Sequence, residues 1–147
     1  MKLAAIDIGS NAARLLINEV IHLPNGKPDF VKMTLVRVPL RLGFDVFEKG
    51  FIDKERAEML VKTIESYKLL LDVYEVKHLK TAATSAMRDA ANAKEILAHV
   101  KDKTGIEIRV ITGEEEAHFI YEHHIAESMT SEEPYLYFDV GGGSTEL

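Results

Sequence analysis

The chain has no cysteine among its 147 residues, which excludes disulfide bonds and thiolate metal sites. It also lacks any apolar run near the roughly 18 residues that read as a membrane span, so none is expected. The opening Met1-Lys2-Leu3-Ala4-Ala5-Ile6 reads as a strand and is too short for the apolar part of a signal peptide, so we expect a cytoplasmic protein. Basic residues are the minority: 18 Lys and Arg face 24 Asp and Glu, for a formal net charge of −6. Broad nucleic-acid binding needs a basic face and is therefore not expected. No repeat at solenoid spacing and no low-complexity segment is present. The remainder, 46% hydrophobic and 29% charged, is the composition of an ordinary globular chain. A single domain of this length buries roughly 68–70% of its unfolded surface.

Against this plain background two similar turns stand out. Asp7-Ile8-Gly9-Ser10-Asn11 follows the apolar run Leu3 to Ile8, and Asp139-Val140-Gly141-Gly142-Gly143-Ser144 follows Tyr135 to Val140. Each sets a carboxylate at a strand end, then glycine, then hydroxyl or amide side chains. Glycine lets backbone N–H groups approach an oxyanion closely, so paired turns of this kind can grip a phosphate chain while the carboxylates hold a cation. The net negative charge opposes a polyanion at long range, which calls for a cation or for basic residues gathered locally.

Between the turns, Leu15 to His22 and Val31 to Arg41 read as strands separated by the turn Leu23-Pro24-Asn25-Gly26-Lys27-Pro28. Leu60, Ile64, Tyr67, Leu71 and Tyr74 recur at helical spacing, predicting a helix over Asp53 to Tyr74 with its apolar stripe in the core. Val76 to Ala82 reads as a strand, Thr84 or Ser85 as the cap of a short helical turn through Asp89, and Asn92 as the start of a helix ending near Gly105. Glu107 to Ile111 reads as a further strand. The acidic Glu114-Glu115-Glu116 after Gly113 suits the start of a helix running to about Ser128. The order βββαβαβα, then a further strand, predicts an α/β fold: a mixed sheet flanked by helices with both turns at strand ends.

Four segments in this order carry a resemblance: the first turn, Thr84-Ser85-Ala86-Met87-Arg88-Asp89-Ala90, Thr112-Gly113-Glu114-Glu115-Glu116-Ala117, and the second turn extended through Thr145-Glu146-Leu147. Together they resemble the N-terminal domain of the exopolyphosphatase / guanosine pentaphosphate phosphatase (Ppx/GppA) family. That family belongs to the actin, sugar-kinase and heat-shock chaperone ATPase superfamily, with ribonuclease H-like domains. The resemblance covers essentially the whole chain. It implies that residues 1–147 are the N-terminal phosphatase domain of a longer protein, followed by a second similar domain, with the active site in the cleft between them. It also leaves room for a homodimer of the full-length form.

The resemblance further implies a Mg²⁺-dependent site. Glu116 matches the catalytic glutamate that activates water. Repulsion among three adjacent carboxylates gives this role independent support. Asp139 and Glu146 match magnesium-associated carboxylates, with Asp7 joining through water. Ser10, Asn11, Gly141, Gly142, Gly143 and Ser144 are expected to cradle phosphate, and Arg88 to bind a phosphate oxygen as a forked donor. Each feature also has an ordinary alternative: a capped helix start, Asp-organised turns, a flexible glycine triplet, a surface arginine. Ala12 and Ala13 stand where the family often has a hydroxyl residue and a bulky one, and His118 where many relatives have arginine. Glu115, Glu122, His123 and His124 sit at metal-like helical spacing, but matching motifs on other helices are missing and a solvated helix face is the simpler reading.

The resemblance implies release of the terminal phosphate of inorganic polyphosphate by water attack. Guanosine pentaphosphate is the alternative substrate under the same mechanism. A superfamily kinase and a non-catalytic polyphosphate-binding domain are the other classes weighed. The Gly113-Glu114-Glu115-Glu116-Ala117 helix start argues against the kinase. The retained Asp7, Arg88, Glu116, Asp139 and Glu146 argue against a decayed site. Without the second domain, weak or absent turnover is expected.

Overall fold

The computed structural model describes residues 1–124, 139–140 and 145–146. Three strands open the chain: β1 (Lys2–Ile8), β2 (Ala13–His22) and β3 (Pro28–Val38). The β2–β3 hairpin turns at Asn25-Gly26, where Gly26 takes φ 78° and Asn25 Oδ1 accepts the Lys27 N–H at 3.0 Å. Glycine and asparagine supply the positive φ and the local side-chain acceptor that such a turn needs. β4 (His78–Ala83) then runs parallel to β1 on the side away from β2, giving the mixed order β3-β2-β1-β4. β1 and β4 therefore end at the same edge of the sheet. Ligand sites of α/β folds form at such strand ends.

The helices are α1 (Leu42–Lys49), α2 (Lys54–Val73), α3 (Ser85–Asp89), α4 (Ala93–Thr104) and α5 (Gly113–His124). α2 lies where its apolar periodicity predicts, burying Leu60, Ile64, Tyr67 and Leu71 in one core with Ile6, Ile8, Leu15 and Ile17 of the sheet. The Tyr67 hydroxyl donates to the Ala13 carbonyl at 3.0 Å, and burial pushes its phenol up to about 12. Asn92 precedes α4 as expected, but its amide is used over a longer range. It accepts from the Ile52 N–H at 3.0 Å and donates to the Ile52 carbonyl at 2.8 Å, tying α4 to the segment before α2. Among the described residues no helix is long and apolar enough to cross a membrane.

Two elements differ from the sequence reading. The third strand stops at Val38, and the residues after Arg41 form α1 despite Gly43. The strand expected over Glu107 to Ile111 is a single parallel bridge, Ala83 to Val110, with the Ala83 N–H bound to the Arg109 carbonyl at 2.8 Å and the Ile111 N–H to the Ala83 carbonyl at 3.0 Å. α5 is described through His124, the expected continuation to Ser128 and the start of the final strand lie outside the described residues, and β5 (Asp139–Val140) pairs antiparallel with β6 (Thr145–Glu146).

α1 holds its position through a charged contact that sequence periodicity does not reveal. Asp45 has a fully buried side chain, ion-paired to Arg56 of α2 and to Lys49, and it accepts the Asp53 N–H at 3.0 Å. Burial alone pushes the Asp45 carboxyl up, but the Asp53 N–H, Arg56 and Lys49 together outweigh it and hold the group below its ordinary 3.8. A depressed carboxyl contributes stability that is present above pH 3.8 and is lost as the pH falls through the lower folded value. Asp45→Asn should cost about 2–3 kcal/mol in urea unfolding near neutral pH. This is less than a fully buried pair because Arg56 and Lys49 keep access to water. The variant should also show a flatter fall in stability between pH 5 and pH 3, on the order of the depressed group's contribution.

Candidate active site

The turn after β1 is fixed from both sides by main-chain hydrogen bonds. The Gly9 N–H reaches the Ala12 carbonyl at 3.0 Å, which closes the turn. The Ser10 carbonyl accepts from Gly43 at 2.8 Å and the Asn11 carbonyl from Arg41 at 2.9 Å, anchoring it to the start of α1. Thr84, at the end of β4, donates its N–H to the Ile8 carbonyl at 3.1 Å. The buried hydroxyls of Ser10 and Ser85 lie 2.7 Å apart and share a hydrogen bond. Gly43 is required by packing, because a Cβ there would come within 2.9 Å of Ser10 Cβ and 2.7 Å of the Phe47 ring. The Asn11 side chain is left exposed at the tip of the turn. Ala12 and Ala13, noted as departures from the family pattern, are both buried in this packing.

The same contacts lead to the second group of expected site residues. α3 begins at Ser85 and carries Arg88 one turn later. Arg88 Nη1 donates to the Ile111 carbonyl at 3.1 Å and lies 3.8 Å from Glu116 Oε2, with both side chains largely withdrawn from water. The three glutamates are not equivalent. Glu115 N–H donates to Thr112 Oγ1 at 3.1 Å while Glu115 Oε2 accepts the Thr112 N–H at 3.0 Å, a reciprocal capping box that starts α5. Glu115 also pairs with Arg109. Successive helical side chains diverge by roughly 100°, so the carboxylates fan apart instead of crowding, and Glu116 turns toward Arg88. The repulsion argument for Glu116 thus gives way to a positional one. The Ser10–Ser85 hydrogen bond and the Arg88–Glu116 approach are thus joined through α3, which carries both Ser85 and Arg88.

Asp7 ends β1 opposite Arg14 of β2, which approaches it to 3.4 Å. Burial raises its carboxyl above the ordinary 3.8, against the opposing pull of Arg14. A carboxylate in that setting gains from a nearby cation. Asp139 stands opposite Glu146 in the β5–β6 ladder, and β6 lies beside α5. The expected metal donors are thus hard oxygen groups, which suits Mg²⁺, an ion that takes one or two carboxylates together with waters and phosphate oxygens. Among the described residues no group of three or more His, Asp or Glu gathers as a metal cluster. Gly141, Gly142, Gly143 and Ser144 lie outside the described residues, as do the side chains of His123 and His124.

Two arginines near the turn escape the sequence reading: Arg14, three residues after Asn11, and Arg41, whose N–H binds Asn11. The signal for Arg41 lies in the backbone. It is a non-glycine residue at φ 55°, a strained conformation of the kind that gathers at functional sites. These two residues bring positive charge to the neighbourhood of the turn despite the net charge of −6.

Residues 21–147 match the model of the Ppx/GppA phosphatase family. The chain belongs to that family. It is 36% identical over 98% of its length to the bifunctional 3-dehydroquinate synthase/phosphatase of Fusobacterium nucleatum, covering 22% of that protein. It is 31% identical over its full length to exopolyphosphatase 1 of Mycobacterium tuberculosis, covering 42% of it. Among solved structures, an exopolyphosphatase from Cytophaga hutchinsonii matches 99% of the chain at TM-score 0.85 and 28% identity, with 45% of that protein covered. The Aquifex aeolicus member of the Ppx/GppA family matches 82% of the chain at TM-score 0.74 and 36% identity, with 38% covered. The chain thus has the actin-like ATPase fold of the Ppx/GppA proteins and spans less than half the length of these relatives.

The Ser10–Ser85 contact makes a direct prediction for this Ppx/GppA domain. Ser10→Ala or Ser85→Ala leaves one buried hydroxyl unsatisfied and should each cost about 1–3 kcal/mol in chemical denaturation. The double variant should cost less than the sum of the two, because it removes both polar partners. Strict additivity would mean that the two hydroxyls do not act as a pair.

Proposed function

We propose that this chain forms one wall of a Mg²⁺-dependent phosphoanhydride hydrolase that removes the terminal phosphate of inorganic polyphosphate by direct attack of water. The observation that carries this reading is the continuity from the Ser10–Asn11 turn through Ser85 to the Arg88–Glu116 pair. It sets a phosphate grip, a forked cation and a carboxylate within one connected structure.

In this reading the Asn11 side chain and the backbone of the turn bind phosphate oxygens, with Gly141, Gly142, Gly143 and Ser144 completing the grip from the second turn. Arg88 Nη1 is held by the Ile111 carbonyl, so its guanidinium meets the phosphoryl group without first having to be ordered. Glu116 takes the proton of the attacking water. Its carboxylate is 19% exposed and flanked by Arg88, which orients it and restrains free exchange with solvent. Asp7, Asp139 and Glu146 would hold Mg²⁺, whose charge offsets that of the phosphoryl oxygens when bound. A second domain after residue 147 supplies the opposite wall, and the isolated chain is correspondingly weak in turnover. Guanosine pentaphosphate is the alternative substrate under the same mechanism.

The test is phosphate release from long-chain polyphosphate by the full-length protein with Mg²⁺. Glu116→Gln should lower kcat by about 10²–10⁴-fold, the usual worth of a positioned general base. It should also flatten the acid limb of the pH–rate profile. Near-normal turnover in that variant would remove Glu116 from the role.

A further inference from the structure

Asp7, Arg14 and Arg37 stand in one row across three neighbouring strands. Asp7 is directly opposite Arg14 in the β1–β2 ladder, and Arg14 is directly opposite Arg37 in the β2–β3 ladder. Their chain neighbours Ile6, Ile8, Ala13 and Leu15 are buried in the core, and Val36 and Val38 pack against it. Side chains alternate along a strand, so the three charged groups share the opposite face of the sheet. Each sits one residue in from its strand end, at the edge that carries the Gly9–Ala12 turn.

Charge is not balanced along this row. Arg14 approaches Asp7 to 3.4 Å, and no ion pair answers Arg37 among the described residues. Residues directly opposite on antiparallel strands have Cβ atoms roughly 4.5–5.5 Å apart, close enough for like charges to repel. Arg37 therefore drives the Arg14 guanidinium away from β3, and Asp7 draws it toward β1. On its other flank Asp7 faces Ala82 of β4, whose side chain carries no charge and no donor. The Arg14 and Asp7 side chains are 55% and 44% exposed. A pair this open to water is weak, worth at most about fivefold in an equilibrium constant, so another cation can displace it. A carboxylate engaged by a guanidinium offers a metal ion fewer lone pairs, and the guanidinium's charge opposes the ion's approach.

We propose that Arg14 is a built-in competitor for the metal: its guanidinium contests Asp7 with the divalent cation and raises the concentration at which the site fills. Arg37 biases the contest by denying Arg14 a resting place over β3, so the cation must displace it from Asp7 itself. Arg14 is thus a positioning residue that acts through Asp7. This rests on the Mg²⁺ reading of Asp7 and adds what controls the loading of the site.

The experiment measures Mn²⁺ binding to the full-length protein by electron paramagnetic resonance, without substrate, in wild type, Asp7→Asn, Arg14→Gln, Arg14→Lys and Arg37→Gln. Mn²⁺ stands in for Mg²⁺ because both take oxygen ligands, and the bound ion is counted without reference to turnover. At the site weakened by Asp7→Asn, Arg14→Gln should lower the dissociation constant about three- to fivefold. Arg14→Lys keeps the charge and should stay within about twofold of wild type, as should Arg37→Gln, one strand farther out. An unchanged or weaker affinity in Arg14→Gln would overturn the competition. Equal tightening by Arg14→Gln and Arg37→Gln would overturn it too, since that marks a diffuse field and not a contest at Asp7. A lower melting temperature in Arg14→Gln with wild-type Mn²⁺ affinity would leave Arg14 as a tie between strands and nothing more. The Asp7→Asn arm tests the underlying assignment. Unchanged Mn²⁺ binding there removes Asp7 as a metal ligand, and the competitor with it. Weakened binding there, with no response to Arg14→Gln, keeps the Mg²⁺ reading and removes only the competitor.

Discussion

Two loops leave the same edge of the sheet, one after β1 and one after β4, and the buried 2.7 Å hydrogen bond between Ser10 and Ser85 joins them. Everything proposed for the site hangs from that join. On one side it steadies the turn that presents Asn11. On the other it sets the start of α3, and with it the direction in which Arg88 leaves the helix. A bond between two small neutral side chains suits this position. It brings the loops close without introducing a charge that would compete with phosphate, and burial keeps water from exchanging into it. Gly43 performs the complementary task from the α1 side, where the absence of a Cβ lets the helix approach Ser10 closely.

The parts of the fold visible in the sequence were those governed by local periodicity. The α2 stripe of Leu60, Ile64, Tyr67 and Leu71 and the Asn25-Gly26 hairpin are specified by residues close together in the chain, and the structure contains both. α1 was invisible for the opposite reason. Its helix is short, contains a glycine and depends on Asp45 meeting Arg56 eleven positions away, a contact with no periodic signature. The segment over Glu107 to Ile111 shows the reverse error: strand-like composition, but only one bridge to β4.

The site was legible in the same uneven way. The first turn, Arg88 and the acidic helix start could be picked out as segments, but their chemical division of labour could not. Three consecutive glutamates look alike in sequence. In the fold Glu115 is engaged by Thr112 and Arg109, and Glu116 by its approach to Arg88. Net charge was similarly uninformative at the local scale. The chain is acidic, yet Arg14 of β2 approaches Asp7 and Arg41, before α1, is bonded through its N–H to Asn11. A polyanion arriving there meets the local field, which at short range outweighs the screened average of distant surface charges.

The single bridge between Ala83 and Val110 also divides the site by how firmly its parts are tied down. The Asn11 turn grows out of a strand hydrogen-bonded on both flanks, and opening it requires breaking the centre of the sheet. Glu116 rides on a helix that follows a segment held to the sheet by few main-chain hydrogen bonds. Amide protons around Val110 and Ile111 accordingly exchange with solvent through smaller openings than those of β1. If the site works as we propose, the phosphate grip is the fixed jaw and the Glu116 base the compliant one, so the half that would follow a water molecule through the reaction is the half that can give.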